Sequence, residues 1–303
     1  MARRARRRAV RELTVDPTIA RRAWRALEAV HGSIYFTPDA PEAYARIGVT
    51  SRRMGYFASR SAPMGPVPAE VVIATFYNFE PGLVRRSIPA AWSITTPADI
   101  LAARLSAADT SLRRAFAGQI LASDQFARTV ELVRSAALRA CALPEGRPLF
   151  AGHASLPWPD EPHLALWHAQ SLLREFRGDG HVAALTLEGL SGLDALVSHA
   201  ASGDVPAEVL RVSRAWSEEA WSAAVADMAE RGLIRRGSDP LAFTDAGRAQ
   251  RDRIESATDR LAARAYAAIG EDACGELRAA GRVLSKAVAD AGLLIADLTR
   301  YDD

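Results

Sequence analysis

The sequence predicts an all-α-dominant fold with small β wings, made of tandem duplicated winged helix-turn-helix-like units that form a pseudo-dimer in one chain. Three observations predict it. Residues 65–71 read Gly-Pro-Val-Pro-Ala-Glu-Val and residues 203–209 read Gly-Asp-Val-Pro-Ala-Glu-Val, and such self-similarity is the mark of repeated architecture. The flanks agree: apolar stretches (Met54 to Ala58, Gly192 to Leu196) precede each copy, and Thr96 and Thr244 each open a later helix. Finally, the second half runs helix, short hairpin, long helix, which is winged-helix order.

Composition sets the frame. The chain has 303 residues, 49% apolar and 24% charged, the balance of a globular protein of about two domains. No apolar run approaches the ~18 residues of a membrane span, so no membrane partner is expected. The basic N-terminus lacks an apolar stretch behind it, which is unlike a secretory signal; a cytoplasmic location is the expectation. Cys141 and Cys274 lie in no metal-ligand spacing and read as free thiols. Net charge is +2 and Lys286 is the single lysine, so the many arginines give no global footprint for DNA.

The division in chain order is a basic tail (1–19), repeat one (20–135), a linker (136–157), repeat two (158–295) and a C-terminal tail (296–303). The tail run Arg3-Arg4-Ala5-Arg6-Arg7-Arg8 reads either as an arm on phosphates or as a solvated terminus. In repeat one, Glu28 and His31 stand at i and i+3 on a helix and share a face. The linker is bounded by Pro144-Glu145-Gly146 and Pro157-Trp158-Pro159, breaker-rich composition. Repeat two opens with a helix over 163–177, with Leu166, Leu173 and Phe176 on one apolar face. Gly178-Asp179-Gly180 is expected to turn the chain, leaving His181 at the start of the next helix. Ser217 caps a helix carrying Trp221, Val225 and Met228, and Gly232 ends it. Strand-like runs 233–236 and 241–243 flank the turn Gly237-Ser238-Asp239-Pro240.

Glu230-Arg231-Gly232-Leu233-Ile234-Arg235-Arg236, followed by Phe243-Thr244-Asp245-Ala246-Gly247-Arg248, resembles the recognition-helix end, wing and next helix of MarR- and PadR-type regulators. Over nearly its whole length the chain is similar to the actinobacterial SalK-like helix-turn-helix family. The stretches carrying that likeness are Gly55 to Ala58, the repeated heptapeptide, Ala74-Thr75-Phe76-Tyr77-Asn78-Phe79 and Leu173 to His181. The resemblance implies winged helices and no particular chemistry.

Winged helices raise the question of DNA. A recognition helix presents its first turn to base edges, yet here those turns begin Ser217-Glu218-Glu219 and Glu80-Pro81-Gly82. Carboxylates oppose phosphates, so only Arg85, Arg86, Arg235 and Arg236 suit backbone contact. DNA binding is therefore the alternative function, that of a ligand-responsive winged-helix regulator.

The leading expectation is a small-molecule or cofactor site between the repeats, with catalysis left open. His31 and His168 stand 34 and 35 residues before the repeated glycines, so a pseudo-two-fold axis would bring them together. With His181 and Glu28 they form a candidate set for a metal ion, a haem or a polar ligand group. Tyr56, Phe76, Trp167 and Arg174 are the expected wall and orienting groups of the same cavity. No Walker A, GxSxG, HExxH or post-strand GxGxxG occurs. The ligand and the oligomeric state are left open.

Overall fold

The computed structural model describes residues 14–294. The basic run 3–8 and the tail 296–303 lie outside the described residues. The chain forms α1 (Pro17–Gly32), α2 (Asp39–Ala45), α3 (Arg52–Ser61), α4 (Ala69–Phe76), α5 (Pro81–Ser87), α6 (Pro97–Ala115) and α7 (Asp124–Cys141). Then come α8 (Pro148–Ala154), α9 (Pro162–Leu187), α10 (Gly192–Ala201), α11 (Ala207–Ser213), α12 (Glu218–Glu230), α13 (Asp245–Tyr266) and α14 (Gly270–Asp290).

Local sequence fixes most of the helix starts. Asp16, Ser51, Thr96, Ser123, Ser217 and Thr244 each accept a hydrogen bond from the first turn of the helix they precede, satisfying donors that have no partner within the helix. Ser191 and Asp194 close a reciprocal capping box at α10. Since Asp16 already caps α1, the expected tail boundary at residue 19 falls three residues inside a helix.

Two apolar cores organise these helices. The larger takes residues from α1 through the middle of α9 and from the end of α13 through α14. The smaller is built from the end of α9, α10, α11, α12, the wing and the start of α13. In the main body α1 packs along α14, α7 along α9, and α13 against both α1 and α9. Gly281 permits the first of these, because a Cβ there would sit 2.9 Å from the backbone of Ala26. The helix α9 is buried on nearly every face from His163 to Phe176, as befits a helix at the centre of a bundle.

Three expectations are corrected. The helix expected over 163–177 does not stop at Gly178-Asp179-Gly180 but runs on to Leu187, so His181 lies mid-helix. Glycine in a helix costs only about 1 kcal/mol, which the packing of α9 against α13 and α7 offsets. Asp179 accepts from the Phe150 N–H at 2.9 Å. The expected linker 136–157 is not a spacer, for it holds the end of α7 and all of α8, with Leu149, Phe150 and His153 buried. Its prolines and Gly146, at φ +69°, make a tight turn into a helix. The expected β wings are reduced to one antiparallel bridge, Ile234 with Phe243, and no strand forms among the described residues. Arg235 N–H still donates to Ala242 O at 2.9 Å and Thr244 N–H to Leu233 O at 3.1 Å. The two runs are short, and Pro240 has no N–H to extend the pairing.

The element order nonetheless repeats. Two short helices and a turn, α4–α5 and α11–α12, each lead to a long helix, α6 and α13. Gly65 and Gly203 both adopt positive φ before the first short helix, and Tyr77 and Ala215 both do so in the turn. These pairs keep the separation of the repeated heptapeptide.

A cavity beside two helix-turn-helix turns

A cavity of about 360 Å³ opens between α1, α2, α3 and the end of α11, with Arg174 of α9 reaching in. Tyr35, Tyr44, Tyr56 and Phe79 contribute its aromatic lining, and Glu28, Arg52, Arg53, Arg174 and Arg214 its charges. They come from distant parts of the chain because α1 crosses α9.

Below the cavity the charges continue inward as a chain. Arg174 Nε donates to Glu28 Oε1 at 2.9 Å and Arg174 Nη1 to Glu175 Oε1 at 3.2 Å. Glu175 accepts both Nε and Nη2 of Arg60, at 3.0 and 2.8 Å, a two-point geometry that suits guanidinium and carboxylate. Arg60 Nη1 then donates to the Tyr56 hydroxyl at 3.1 Å. Burial opposes the Glu175 carboxylate, but Arg60 and Arg174 outweigh it and hold its pKa well below the usual range. At Glu28 burial prevails over Arg174, and the pKa rises.

Hydrogen bonds fix the state of His31. Ser171 donates its hydroxyl to Trp167 O at 2.7 Å, so the 2.7 Å contact to His31 Nδ1 must run from Nδ1–H to Ser171 Oγ. Nε2 is then the acceptor of the Tyr35 hydroxyl at 3.0 Å. Burial, with Arg174 and Arg104 nearby, pushes the His31 pKa well down, consistent with a neutral ring. Tyr35 is thereby aimed between His31 and the cavity.

The candidate residues thus separate. Glu28, Tyr56 and Arg174 line the cavity. His31 supports it through Tyr35. Phe76 packs under it against Tyr56 and Phe79, with Arg60 over its ring at 4.4 Å. Trp167 stacks on His31 at 6.3 Å. His168 faces elsewhere, edge-on to Trp158 at 4.9 Å, with Nε2 lacking a hydrogen-bond partner. His181 Nδ1 bonds Thr258 Oγ1 at 2.9 Å, some 20 Å further along α9 at 1.5 Å per residue. The structure does not bring His31, His168, His181 and Glu28 together. Among the described residues no cluster of three or more His, Cys, Asp or Glu side chains could hold a metal ion. Tyr35, Tyr44, Arg53 and Arg214 were not foreseen, as no local pattern joins them.

The outer wall of the cavity is also a junction between the two helix-turn-helix turns. Glu80 N–H donates to Arg214 O at 3.0 Å and Trp216 Nε1–H to Asn78 O at 2.9 Å. Arg53 Nη1 donates to Ser213 O at 2.7 Å, and the Arg214 guanidinium lies 5.1 Å from the Phe79 ring centre. The Tyr77 hydroxyl donates to Leu190 O. Arg53, Phe79, Ser213 and Arg214 therefore belong to both cavity and junction.

The surface of α12 is acidic. Glu218, Glu219, Asp227 and Glu230 are exposed on it, among serines and alanines. Arg85 and Arg86 of α5 pair with Glu70 and Glu80. Beside the Ile234–Phe243 bridge Arg235 and Arg236 are exposed, although Arg235 Nε also donates to Phe243 O at 2.9 Å.

Paired short helices joined by tight turns, twice in one chain, define a helix-turn-helix protein. A family model described as a helix-turn-helix family matches residues 20–295, and the chain belongs to that family. No curated protein and no solved structure matches it. No helix among the described residues is long and apolar enough to cross a membrane.

Proposed function

We propose that the protein is a ligand-responsive helix-turn-helix regulator: a small molecule occupies the cavity, and the winged unit α10–α13 is the part that meets DNA. Family membership supports the regulator class over the cofactor or enzyme reading that the sequence put first. The observation that carries the coupling is the sharing of Arg53, Phe79, Ser213 and Arg214 between the cavity wall and the turn junction. An occupant of the cavity cannot reorganise those residues without moving a helix-turn-helix turn. The ancestry we assign is a duplication, a pseudo-dimer in one chain of the SalK-like kind. It is supported by the repeated heptapeptide and by the matching positive-φ turns at Tyr77 and Ala215.

Geometry limits how DNA is met. Glu80 caps α5 and Ser217 caps α12, and the bond from Glu80 N–H to Arg214 O is 3.0 Å long. Three further residues span at most about 11 Å, so the helices start within about 15 Å of each other. Successive major-groove half-sites stand about 34 Å apart. With the junction closed, α5 and α12 cannot read two half-sites, and contact falls to phosphates through Arg235 and Arg236.

Fluorescence anisotropy with a labelled duplex at rising salt tests this. Wild type should bind with salt-dependent affinity, and Arg235→Glu with Arg236→Glu should weaken it at least tenfold and flatten the salt slope by about two. No salt-dependent binding, or binding indifferent to that pair, overturns the DNA role. That result would favour a second reading, a ligand-binding protein on a helix-turn-helix scaffold, for which the acidic face of α12 speaks directly. An organic occupant fits either reading better than a metal or haem, because the candidate histidines are dispersed.

A further inference from the structure

We propose that one flank of the α1–α14 pair is a second surface that holds the phosphate backbone of duplex DNA; the inference rests on the DNA role proposed above and adds where else the duplex is held. The two helices lie parallel and in register. Asp16 N–H donates to Glu271 Oε1 at 2.9 Å, and Ser285 Oγ donates to Ala26 O at 2.6 Å. A Cβ on Gly281 would stand 2.9 Å from the Ala26 backbone, so Ala26 faces Gly281.

That register gathers four arginines. At about 100° per residue, Arg22 and Arg25 sit about 40° and 100° to one side of Ala26. Arg278 and Arg282 sit about 60° and 100° to the other side of Gly281. In parallel helices that face each other, opposite rotations open on the same flank. The four positions fall within about 8 Å of helix length, on axes about 8–10 Å apart. All four residues are exposed, and none makes a hydrogen bond or ion pair among the described residues.

The acids beside them are engaged. Asp16 caps α1, and Glu271 accepts the Asp16 N–H. Thr18 hydrogen bonds are the main cause of the lowered Asp16 pKa, to which Arg22 adds. On the α13 side, Glu255 and Asp259 are taken by Arg21, Arg177 and Arg251.

Chemistry and position select the partner. Guanidinium groups match phosphate oxygens with paired hydrogen bonds. Val283, the exposed large apolar residue of α14, turns about 160° from Gly281, so the flank lacks the apolar insert of a membrane-surface helix. The helix α13 begins just after the Ile234–Phe243 bridge and meets Arg21 at Glu255 and Asp259, about 15–21 Å along its axis. One turn of duplex is about 34 Å, long enough to touch both the flank and the Arg235–Arg236 pair. A net charge of +2 conceals this local excess.

Anisotropy with a labelled duplex at rising salt tests the assignment on the full chain. Replacing Arg22, Arg25, Arg278 and Arg282 together by Gln should weaken binding at least tenfold and flatten the salt slope by about three. The control replaces Arg113, Arg114, Arg128 and Lys286 by Gln. It removes the same charge from residues that are each ion-paired, and should bind within twofold of wild type. Melting temperatures of both variants should match wild type, since all eight side chains are exposed. Equal weakening by the two variants, or wild-type binding by the first, overturns the proposal. Tighter binding of wild type to phosphatidylglycerol–phosphatidylcholine vesicles than to duplex, lost in the first variant, overturns it in favour of a membrane. Failure of the wing contact looks different: the flank variant loses binding while the Arg235–Arg236 variant keeps it. Absence of duplex binding by wild type sinks both.

Discussion

At the scale of single residues, the buried histidines make acid sensitivity an expected property. Burial is the leading cause of depression to about 4 at His153, His168 and His181, and it also pushes His31 well down. Each folded pKa lies below the unfolded value, so each contributes stability that is present above about 6.5 and lost as pH falls toward 4. Asp179 opposes this: burial, against the Phe150 hydrogen bond, lifts it to about 6. Its raised pKa favours the folded state as pH falls from about 6 to 4. Glu28, also raised by burial, acts in the same direction as Asp179, but four imidazoles outweigh two carboxyls, so the melting temperature should drop between pH 6.5 and 4.5. His168→Leu should show a shallower drop than wild type, with little loss at pH 7.5, because Nε2 has no partner to lose. A variant as steep as wild type would contradict the assignment. At this scale the sequence was partly legible. Of the candidates, Glu28, Tyr56 and Arg174 stand in the cavity lining, while His168 packs edge-on to Trp158, a placement that no local pattern conveys.

At the scale of elements, the junction of the two turns gives the sharpest expectation. A Cβ on Gly192, the first residue of α10, would lie 1.9 Å from Tyr77 O. Backbone must move to admit it, so Gly192→Ala should destabilise the protein by about 1–3 kcal/mol or more, measured by urea unfolding. Gly275→Ala serves as control, because nothing lies within 4 Å of a Cβ there. Equal stability of the two variants would show that the turn of repeat one does not press on α10. Caps were the legible part of the elements. Thr96, Ser217 and Thr244 each bond the first turn as their side chains require. Glycine was the misleading part, since Gly178 and Gly180 lie inside α9 rather than at a break. The wing was legible as a reversal but not as strands, because three or four residues a side sustain a single bridge.

At the scale of the whole molecule, the helix-turn-helix class was read correctly from order and spacing. The like stretches 65–71 and 203–209 each run into the start of a short helix, α4 and α11. What escaped sequence reading was the direction in which the units face. Local patterns describe one helix at a time, whereas the junction is set by backbone groups of Asn78, Glu80, Ser213 and Arg214. Backbone carbonyls and N–H groups leave no trace in residue type. The same holds for the cavity, whose lining is gathered from α1, α2, α3, α9 and α11 and their connections.

The central claim is that an occupant of the cavity acts on the helix-turn-helix turns. Hydrogen–deuterium exchange on the full chain, compared between wild type and Ala29→Phe, which places a side chain in the cavity, tests it most directly. Altered exchange should appear in residues 76–83 and 211–221, across both turns, as well as in the cavity segments 28–37 and 52–59. Protection confined to the cavity segments, with both turns unchanged, would contradict the coupling.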